Sequence, residues 1–346
     1  MNAAVLTGRR RIEVREVREP LLTNETDVLI RVEATGICGS DVHYYSEGRI
    51  GDQVVEYPFV VGHECAGVVL EVGRAVTRLK PDDRVAIDPA VVCGLCDQCL
   101  AGRPNTCRNL RYLGTPGQMP GCLSDVIPMP EQNCHLLSEG MSMNEGALVE
   151  PLSIGVYSLK LLAGCLPGKM AILGSGPIGL AVLLAAKAAG VRTVYITDKI
   201  EERVQAARTA GADWSGNPER SDIVARIRAS EPGLLDAVFE CCGDQTALDQ
   251  AVDLLKPGGT LLIVGIPVSD RVSFDIHKLR RKEISILNVR RQSHCFPEAI
   301  QLIKNQKANV RFMSTHEFSL ADAAKAFELV SGYRDGVIKA IIRPSF

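Results

Sequence analysis

Two textures of apolar and polar positions succeed one another along the chain. Up to about residue 150 the apolar residues come in short alternating runs, VLIRVEATGI, ECAGVVLEVG and DRVAIDPA, punctuated by Gly67, Gly73, Pro81 and Pro89. Period-two alternation bounded by Gly and Pro predicts half-buried strands. Many short strands of this kind predict an irregular antiparallel barrel. From about residue 168 continuous apolar runs alternate with helical stretches. Strands are predicted at 170–173, 193–197, 236–240 and 260–264, and helices at 178–189, 201–209, 223–229 and 245–255. Strands alternating with helices of about ten residues mean βαβ units and a parallel sheet with right-handed crossovers. The last sixty or so residues mix helices at 297–303 and 321–330 with strands at 313–318 and 337–342. The reading is therefore α/β with two domains: residues 1–155 together with 290–346, and residues 156–289 between them. A cleft between the two is the expected place for an active site.

Composition narrows the picture. The 346 residues suit two domains, and 46% hydrophobic with 23% charged residues excludes low-complexity disorder for most of the chain. Lys plus Arg is 39 and Asp plus Glu is 41. A net charge of -2 gives no bulk electrostatic reason to seek nucleic acid or an anionic membrane. The most apolar stretch, 170–186, is short for a membrane span and contains Gly174, Ser175, Gly176, Pro177 and Gly179. MNAAVLTGRRRIEV has no apolar core of a secretory signal, so a cytoplasmic location is expected. In that compartment twelve Cys argue against a disulfide framework and toward metal or redox chemistry wherever they cluster. Cys65, Cys122, Cys134, Cys165, Cys241, Cys242 and Cys295 are scattered, and scattered Cys mostly serve as small buried apolar residues.

One motif sits at the switch between textures. Lys169-Met-Ala-Ile-Leu-Gly174-Ser-Gly176-Pro177-Ile178-Gly179 reads strand, G-x-G-x-x-G, helix. Gly174 permits the tight turn, Gly176 lets a pyrophosphate approach the backbone, and Gly179 lets the helix pack on the strand. The helix N-terminus offers N–H groups and a partial positive charge to phosphate. Asp198 closes the second strand, nineteen residues past Gly179. A carboxylate there accepts hydrogen bonds from the adenosine ribose and repels a 2′-phosphate, so NAD is expected over NADP. Lys199 and Arg203 lie close enough in sequence to tolerate a phosphate. The bland alternative is a Gly-rich turn in an unrelated α/β domain with Asp198 as a helix cap.

Two groups of residues suit metals. Cys93-x2-Cys96-x2-Cys99-x7-Cys107 offers four thiolates within 15 residues. Four sulfurs so spaced can close a tetrahedral, structural zinc site. An iron–sulfur cluster is the alternative, but the spacing differs from the bacterial ferredoxin run. The second group is dispersed: Cys38 in GICGSDVH, His63 and Glu64 in GHE, and Glu150 in EPLS. Singly, each reads as a buried Cys, a satisfied His or a surface Glu. One sulfur, one nitrogen and one or two oxygens together suit a catalytic zinc with room for water.

The motifs GICGSDVHYY, GHECAGVV, the four-Cys loop, VEPLSIG, GSGPIGL and ECCG resemble the zinc-containing medium-chain dehydrogenases, in that family's order and over essentially the whole chain. Within that family, GICGSDVHYYSEGRIG and EPLSIG are most similar to the polyol branch, the sorbitol (L-iditol) and xylitol dehydrogenases. The resemblance implies a GroES-like irregular β-barrel catalytic domain and a Rossmann doubly wound parallel-sheet cofactor domain. It implies two Zn²⁺ per chain, NAD, a small-molecule polyol as substrate and a homo-oligomer, dimer or tetramer. Cys38 and His63 would ligate the catalytic zinc, Glu64 would do so in some states, and Glu150 would bind the zinc or its water. Asp41 would hold the His63 imidazole. Ser40 would accept the substrate proton and His43 relay it to solvent. Tyr44 and Arg291 would touch substrate hydroxyls. Gly174, Gly176, Pro177, Ile178, Gly179, Asp198, Arg203, Val264 and Gly265 form the expected cofactor set. Gln292 stands where sorbitol dehydrogenases usually carry Tyr, and Glu47 replaces an aromatic residue; both changes are expected near the substrate pocket. The same chemistry on another secondary alcohol, such as threonine, butanediol or a sugar acid, is the alternative. A non-catalytic protein of this fold would have lost part of Cys38, Ser40, His63 and Glu150, and all four are present.

Overall fold

The computed structural model describes residues 1–344, so Ser345 and Phe346 lie outside the described residues. The chain divides into two compact units, Met1–Glu150 with the segment from Val310 onward, and Pro151–Asn309. These boundaries differ from 155 and 290. The difference at 290–309 has a plain cause: the helix Phe296–Lys304 buries Phe296, Ala299, Ile300 and Ile303, and no change of texture separates it from the tail.

The first unit is built on one seven-stranded sheet. Its order is Cys134–Leu136, Arg84–Ile87, Glu64–Val72, Asp27–Gly36, Lys339–Arg343 and Ser314–Ser319, with Val126–Pro130 also paired to Asp27–Gly36. Every pairing is antiparallel except that between the last two strands in this order. Asp27–Gly36 is buried along most of its length and has strands paired on both edges. Its pairing register places Gly36 opposite Glu64 on one side and Ile341 on the other. A Cβ at Gly36 would stand 2.3 Å from a Glu64 carboxylate oxygen, so only glycine permits this approach. Three further strands, Arg11–Glu16, Asn2–Gly8 and Phe59–Val60, form a separate sheet. One core of this unit gathers Leu6, Tyr45, Leu123, Phe327 and Ile342, and another Val28, Ile30, Val69, Ile87 and Met129. Each such side chain contributes about 1.5–3 kcal/mol by leaving water. The short helix Gly39–Ser46 was not predicted, because GSDVHYYS has no clear helical period.

The second unit holds six parallel strands in the order Trp214–Gly216, Thr193–Thr197, Lys169–Leu173, Leu235–Glu240, Leu255–Ile263 and Ser285–Asn288. Numbered along the chain this order is 3-2-1-4-5-6, the doubly wound dinucleotide-binding arrangement. The helix Pro177–Ala189 starts with Pro177 at its first position and ends on Gly190, at φ 89°. Pro has no N–H to lose at a helix start, and glycine adopts the left-handed stop at low cost. Trp214–Gly216 is too short to show a period, and the helix Val149–Lys160 was hidden by Pro151, which the first turn of a helix accepts. Among the described residues no helix is long and apolar enough to cross a membrane.

Candidate functional site

In the first unit the ladder between Asp27–Gly36 and Glu64–Val72 brings two loops side by side. Cys38 follows the first strand and His63 precedes the second. Cys38 caps the helix Gly39–Ser46, and Asp41 in its first turn accepts from the Cys38 N–H at 3.0 Å. The other Asp41 oxygen accepts from the Gly62 N–H at 3.1 Å and faces His63 Nδ1 at 3.4 Å. With Nδ1 turned to Asp41, Nε2 is the nitrogen left for a metal. Burial disfavours a charged His63, but the Asp41 carboxylate and the Cys38 thiol outweigh it and hold the imidazole pKa well above 6.5.

Ligand atoms of Cys38, His63 and Glu64 all lie within 4.8 Å of one another. Sulfur, imidazole nitrogen and carboxylate oxygen form a donor set that fits zinc. Glu64 is fully buried, and both its oxygens accept from the Lys339 ammonium, at 2.7 and 2.6 Å. Lys339 also donates to the Ile37 carbonyl at 2.9 Å. Glu150 stands outside this trio and accepts from the Tyr112 hydroxyl at 3.0 Å. Its carboxyl is pushed up to about 7, mainly by burial and then by the Glu64 charge, against the opposing pull of His63, Tyr112 and Lys339.

The four-Cys loop is a local device. Sγ atoms of Cys96 and Cys99 are 3.6 Å apart, those of Cys96 and Cys107 3.9 Å, and those of Cys107 and Cys93 3.5 Å. A tetrahedron with Zn–S bonds of about 2.3 Å has edges of about 3.8 Å, so these sulfurs stand at the spacing zinc requires. Backbone N–H groups of Leu95 and Cys96 lower the Cys93 thiol to about 6, whereas burial and Cys96 push Cys99 up to about 12.

In the second unit the Gly-rich turn lies at the carboxyl end of the strand Lys169–Leu173. Gly174 has φ 101°, and a Cβ at Gly179 would stand 1.8 Å from the Gly174 carbonyl oxygen. Gly176 caps the helix beginning at Pro177, so first-turn N–H groups face outward for an anion, a cradle that fits a pyrophosphate. Asp198 accepts from the Ser175 N–H at 2.8 Å through one oxygen and from the Ile200 N–H at 2.9 Å through the other. The carboxylate thus braces the turn and keeps lone pairs for further donors. Arg203 is buried, and a Cβ at Gly176 would meet its guanidinium at 3.4 Å. Lys199 pairs with Asp244 at 3.5 Å. The N–H groups of Val264 and Gly265 are tied to the Glu240 carbonyl.

Other residues named from the sequence fall as follows. Ser40 and His43 are half-buried, three residues apart on the helix that Cys38 caps. Tyr44 is buried, and its hydroxyl donates to Gln53 at 2.9 Å. Glu47 is exposed and pairs with Arg9 at 3.7 Å. Arg291, at φ 55°, and Gln292 belong to the parallel-sheet unit. Gln292 is buried and accepts from the Cys295 N–H at 2.9 Å, just ahead of the helix Phe296–Lys304. Lys339 and Tyr112 were missed. Lys339 is a lone charge in the run VIKAII, which reads as an outward position on an alternating strand. Tyr112 carried no signal at all.

Comparison with known proteins agrees with this architecture. Residues 24–139 match the alcohol dehydrogenase GroES-like domain, and residues 177–305 the zinc-binding dehydrogenase domain. The chain is 35% identical to a sorbitol dehydrogenase of Bacillus subtilis over 350 aligned residues, covering 100% of this chain and 98% of that protein. Among solved structures, an oxidoreductase of unknown specificity from Escherichia coli superimposes with a TM-score of 0.93 at 34% identity, covering 100% of this chain and 99% of the other. A zinc-binding dehydrogenase from Sinorhizobium meliloti, solved with NADP, superimposes with a TM-score of 0.89 at 30% identity, covering 99% of each chain.

Proposed function

The chain belongs to the polyol branch of the zinc-containing medium-chain dehydrogenases, and we propose that it reversibly oxidises a secondary alcohol of a sorbitol- or xylitol-like polyol to a ketose, with NAD as acceptor. The observation that carries this reading is the buried cluster of Cys38, His63 and Glu64, backed by Asp41, in a chain similar to a sorbitol dehydrogenase along its whole length. The first unit takes the catalytic role and the second the cofactor role. Cys38 and His63 would hold the catalytic zinc, Glu64 would join them in some states, and Glu150 would bind the zinc or its water. Cys93, Cys96, Cys99 and Cys107 would hold the structural one.

When bound, zinc supplies a Lewis acid that makes a substrate hydroxyl more acidic, and NAD supplies the hydride acceptor. The protein positions and moves the proton. Asp41 fixes the His63 ring, so the ligand geometry is set before substrate arrives. Ser40, in the first turn of its helix, takes the hydroxyl proton. His43, near neighbour on the same helix face, passes it to solvent. Tyr44 and Arg291 bind substrate hydroxyls. Gly174, Gly176, Pro177, Ile178 and Gly179 cradle the pyrophosphate, with Val264 and Gly265 lining the site. Asp198 accepts from the ribose diol, which favours NAD, although the Sinorhizobium relative was solved with NADP. Arg203 adds positive charge beside the turn.

Two observations favour a second reading, the same chemistry on threonine, a butanediol or a sugar acid. Glu47 is exposed and paired with Arg9, and Gln292 holds the turn before a helix. Neither supplies the aromatic wall expected of the polyol branch. A cytoplasmic homo-oligomer, dimer or tetramer, completes the proposal. It is supported by the strand Ser285–Asn288, which lies at the end of the parallel sheet and so has an edge to offer a second copy. The test is NADH formation by the purified protein with sorbitol, xylitol, L-threonine, 2,3-butanediol and L-idonate, alongside zinc analysis. Polyol oxidation with about two zinc ions per chain is expected. Zinc-free active enzyme, or no NAD reduction with any of these alcohols, refutes the proposal.

A further inference from the structure

Tyr112 touches both halves of the catalytic cluster, and we infer that it is a positioning residue that sets the orientation of the Glu150 carboxylate. The inference rests on the reading above, in which Glu150 serves the zinc held by Cys38 and His63. The Tyr112 hydroxyl donates to Glu150 Oε1 at 3.0 Å, and its ring lies 5.5 Å from the His63 ring, tilted by 55°. Tyr112, Glu150 and His63 are all buried. The phenol holds one oxygen of this buried carboxylate and so constrains the direction of the other.

Tyr112 is itself held by the neck of the four-Cys loop. It lies on the two-residue strand Arg111–Tyr112, paired with Ala90–Val91 in the register Tyr112 to Ala90 and Arg111 to Val91. The Leu113 N–H donates to the Pro89 carbonyl at 3.0 Å, and the Asn133 amide donates to the carbonyls of Asp88 and Ala90 at 2.9 Å each. Cys93 lies two residues after Val91, and Cys107 four residues before Arg111. Four thiolates gathered on a metal therefore hold in register the strand that carries Tyr112. The loop that does no chemistry thereby supports the geometry of the site that does.

The test compares the zinc-loaded parent with Tyr112→Phe, which removes one oxygen and keeps the ring. Zinc release to the chelator 4-(2-pyridylazo)resorcinol is followed, the phase missing from Cys38→Ser being taken as the catalytic-site ion. Partners that orient metal ligands typically govern 10–100-fold in metal affinity or activity. Tyr112→Phe is expected to keep its melting temperature and both zinc ions, to release the catalytic-site ion roughly tenfold faster, and to lose roughly tenfold in kcat on sorbitol with little change in KM. In a Glu150→Ala background the same change should add nothing to the release rate. Parent-like release and kcat in Tyr112→Phe overturn the inference, as does equal acceleration in the Glu150→Ala background. A parent without two zinc ions or without polyol oxidation refutes the functional reading instead, so the two failures are distinguishable.

Discussion

Lys339→Met should be among the most damaging single changes in the first unit. The Lys339 ammonium and Glu64 carboxylate are buried to 1% and 0% exposure, and both carboxylate oxygens accept from the one nitrogen. Burial alone would lower the Lys339 pKa, but Glu64 and Cys38 outweigh it and raise it. The charge is therefore kept at neutral pH, and its third contact is the Ile37 carbonyl. Methionine preserves the apolar stem and deletes the ammonium, which leaves Glu64 buried without its counter-charge. Breaking a buried pair in this way costs about 3–5 kcal/mol, far more than the about 0–1 kcal/mol of a surface pair. For a domain of 150–250 residues each kcal/mol moves the melting temperature by about 2–4 °C. A fall of roughly 10 °C is expected, read by calorimetry and by the urea midpoint at pH 7 on zinc-free protein, where no metal charge can stand in for the ammonium. Lys339→Met combined with Glu64→Gln should recover most of it, because replacing both partners removes the stranded charge. A single variant melting within about 2 °C of the parent would show that this pair is not the buried, mutually dependent unit its contacts describe.

Three further outcomes are expected. Asp198→Ala should weaken NAD binding, both by losing the ribose acceptor and by freeing the Ser175 and Ile200 N–H groups. Two like charges about 4 Å apart cost on the order of 4 kcal/mol at an effective dielectric near 20. After partial offset by Arg203 the parent should prefer NAD by roughly 10²-fold in kcat/KM, and the variant should lose that preference; equal use of both cofactors by the parent would refute it. Cys93→Ser should lower stability and remove about one zinc per chain, whereas Cys38→Ser should abolish turnover and leave the fold nearly intact; the reverse pattern in zinc analysis and melting would exchange the two assignments. Glu145 titrates below 4.5: burial raises it, but the Ser142 N–H and Arg311 prevail. A depressed carboxylate contributes stability above about pH 4.5 that is lost as pH falls through its folded-state value. Glu145→Gln should therefore be destabilised at pH 7 by more than at pH 3, and a gap independent of pH would rule this out.

Much of the architecture is legible because it rests on local patterns. The βαβ run shows through apolar strands and amphipathic helices, and the four thiolates announce themselves because a chelating loop needs fixed short spacings. The catalytic cluster is a different case. Cys38 lies far from His63 and Glu64 in sequence, and only the ladder register of Gly36 with Glu64 says that they meet. Their partners were illegible for the same reason. Alternation in VIKAII predicts an outward Lys339, whereas its ammonium is buried against the Glu64 carboxylate and the Ile37 carbonyl, partners far away in sequence. Tyr112 acts through one hydroxyl, which leaves no pattern. Gln292 was read only as a departure near the substrate pocket, and its carbonyl oxygen accepts from the Cys295 N–H. A glutamine that accepts from the N–H three residues on is a contact that residue type alone does not signal.

The strand Lys339–Arg343 pairs with Asp27–Gly36 and brings the lysine that neutralises Glu64, yet the whole parallel-sheet unit is made between them. During synthesis at about 5–20 residues per second, the intervening Pro151–Asn309 occupies the ribosome for about ten to thirty seconds. Throughout that interval the Asp27–Gly36 strand has one edge partly open, and Glu64 has no ammonium to pair with. The nascent chain must therefore hold the first unit in an unfinished, strand-exposing state while the second folds. Competence to retain a metal at Cys38 and His63 should arrive late in translation, as a single closing event that follows the emergence of residue 339.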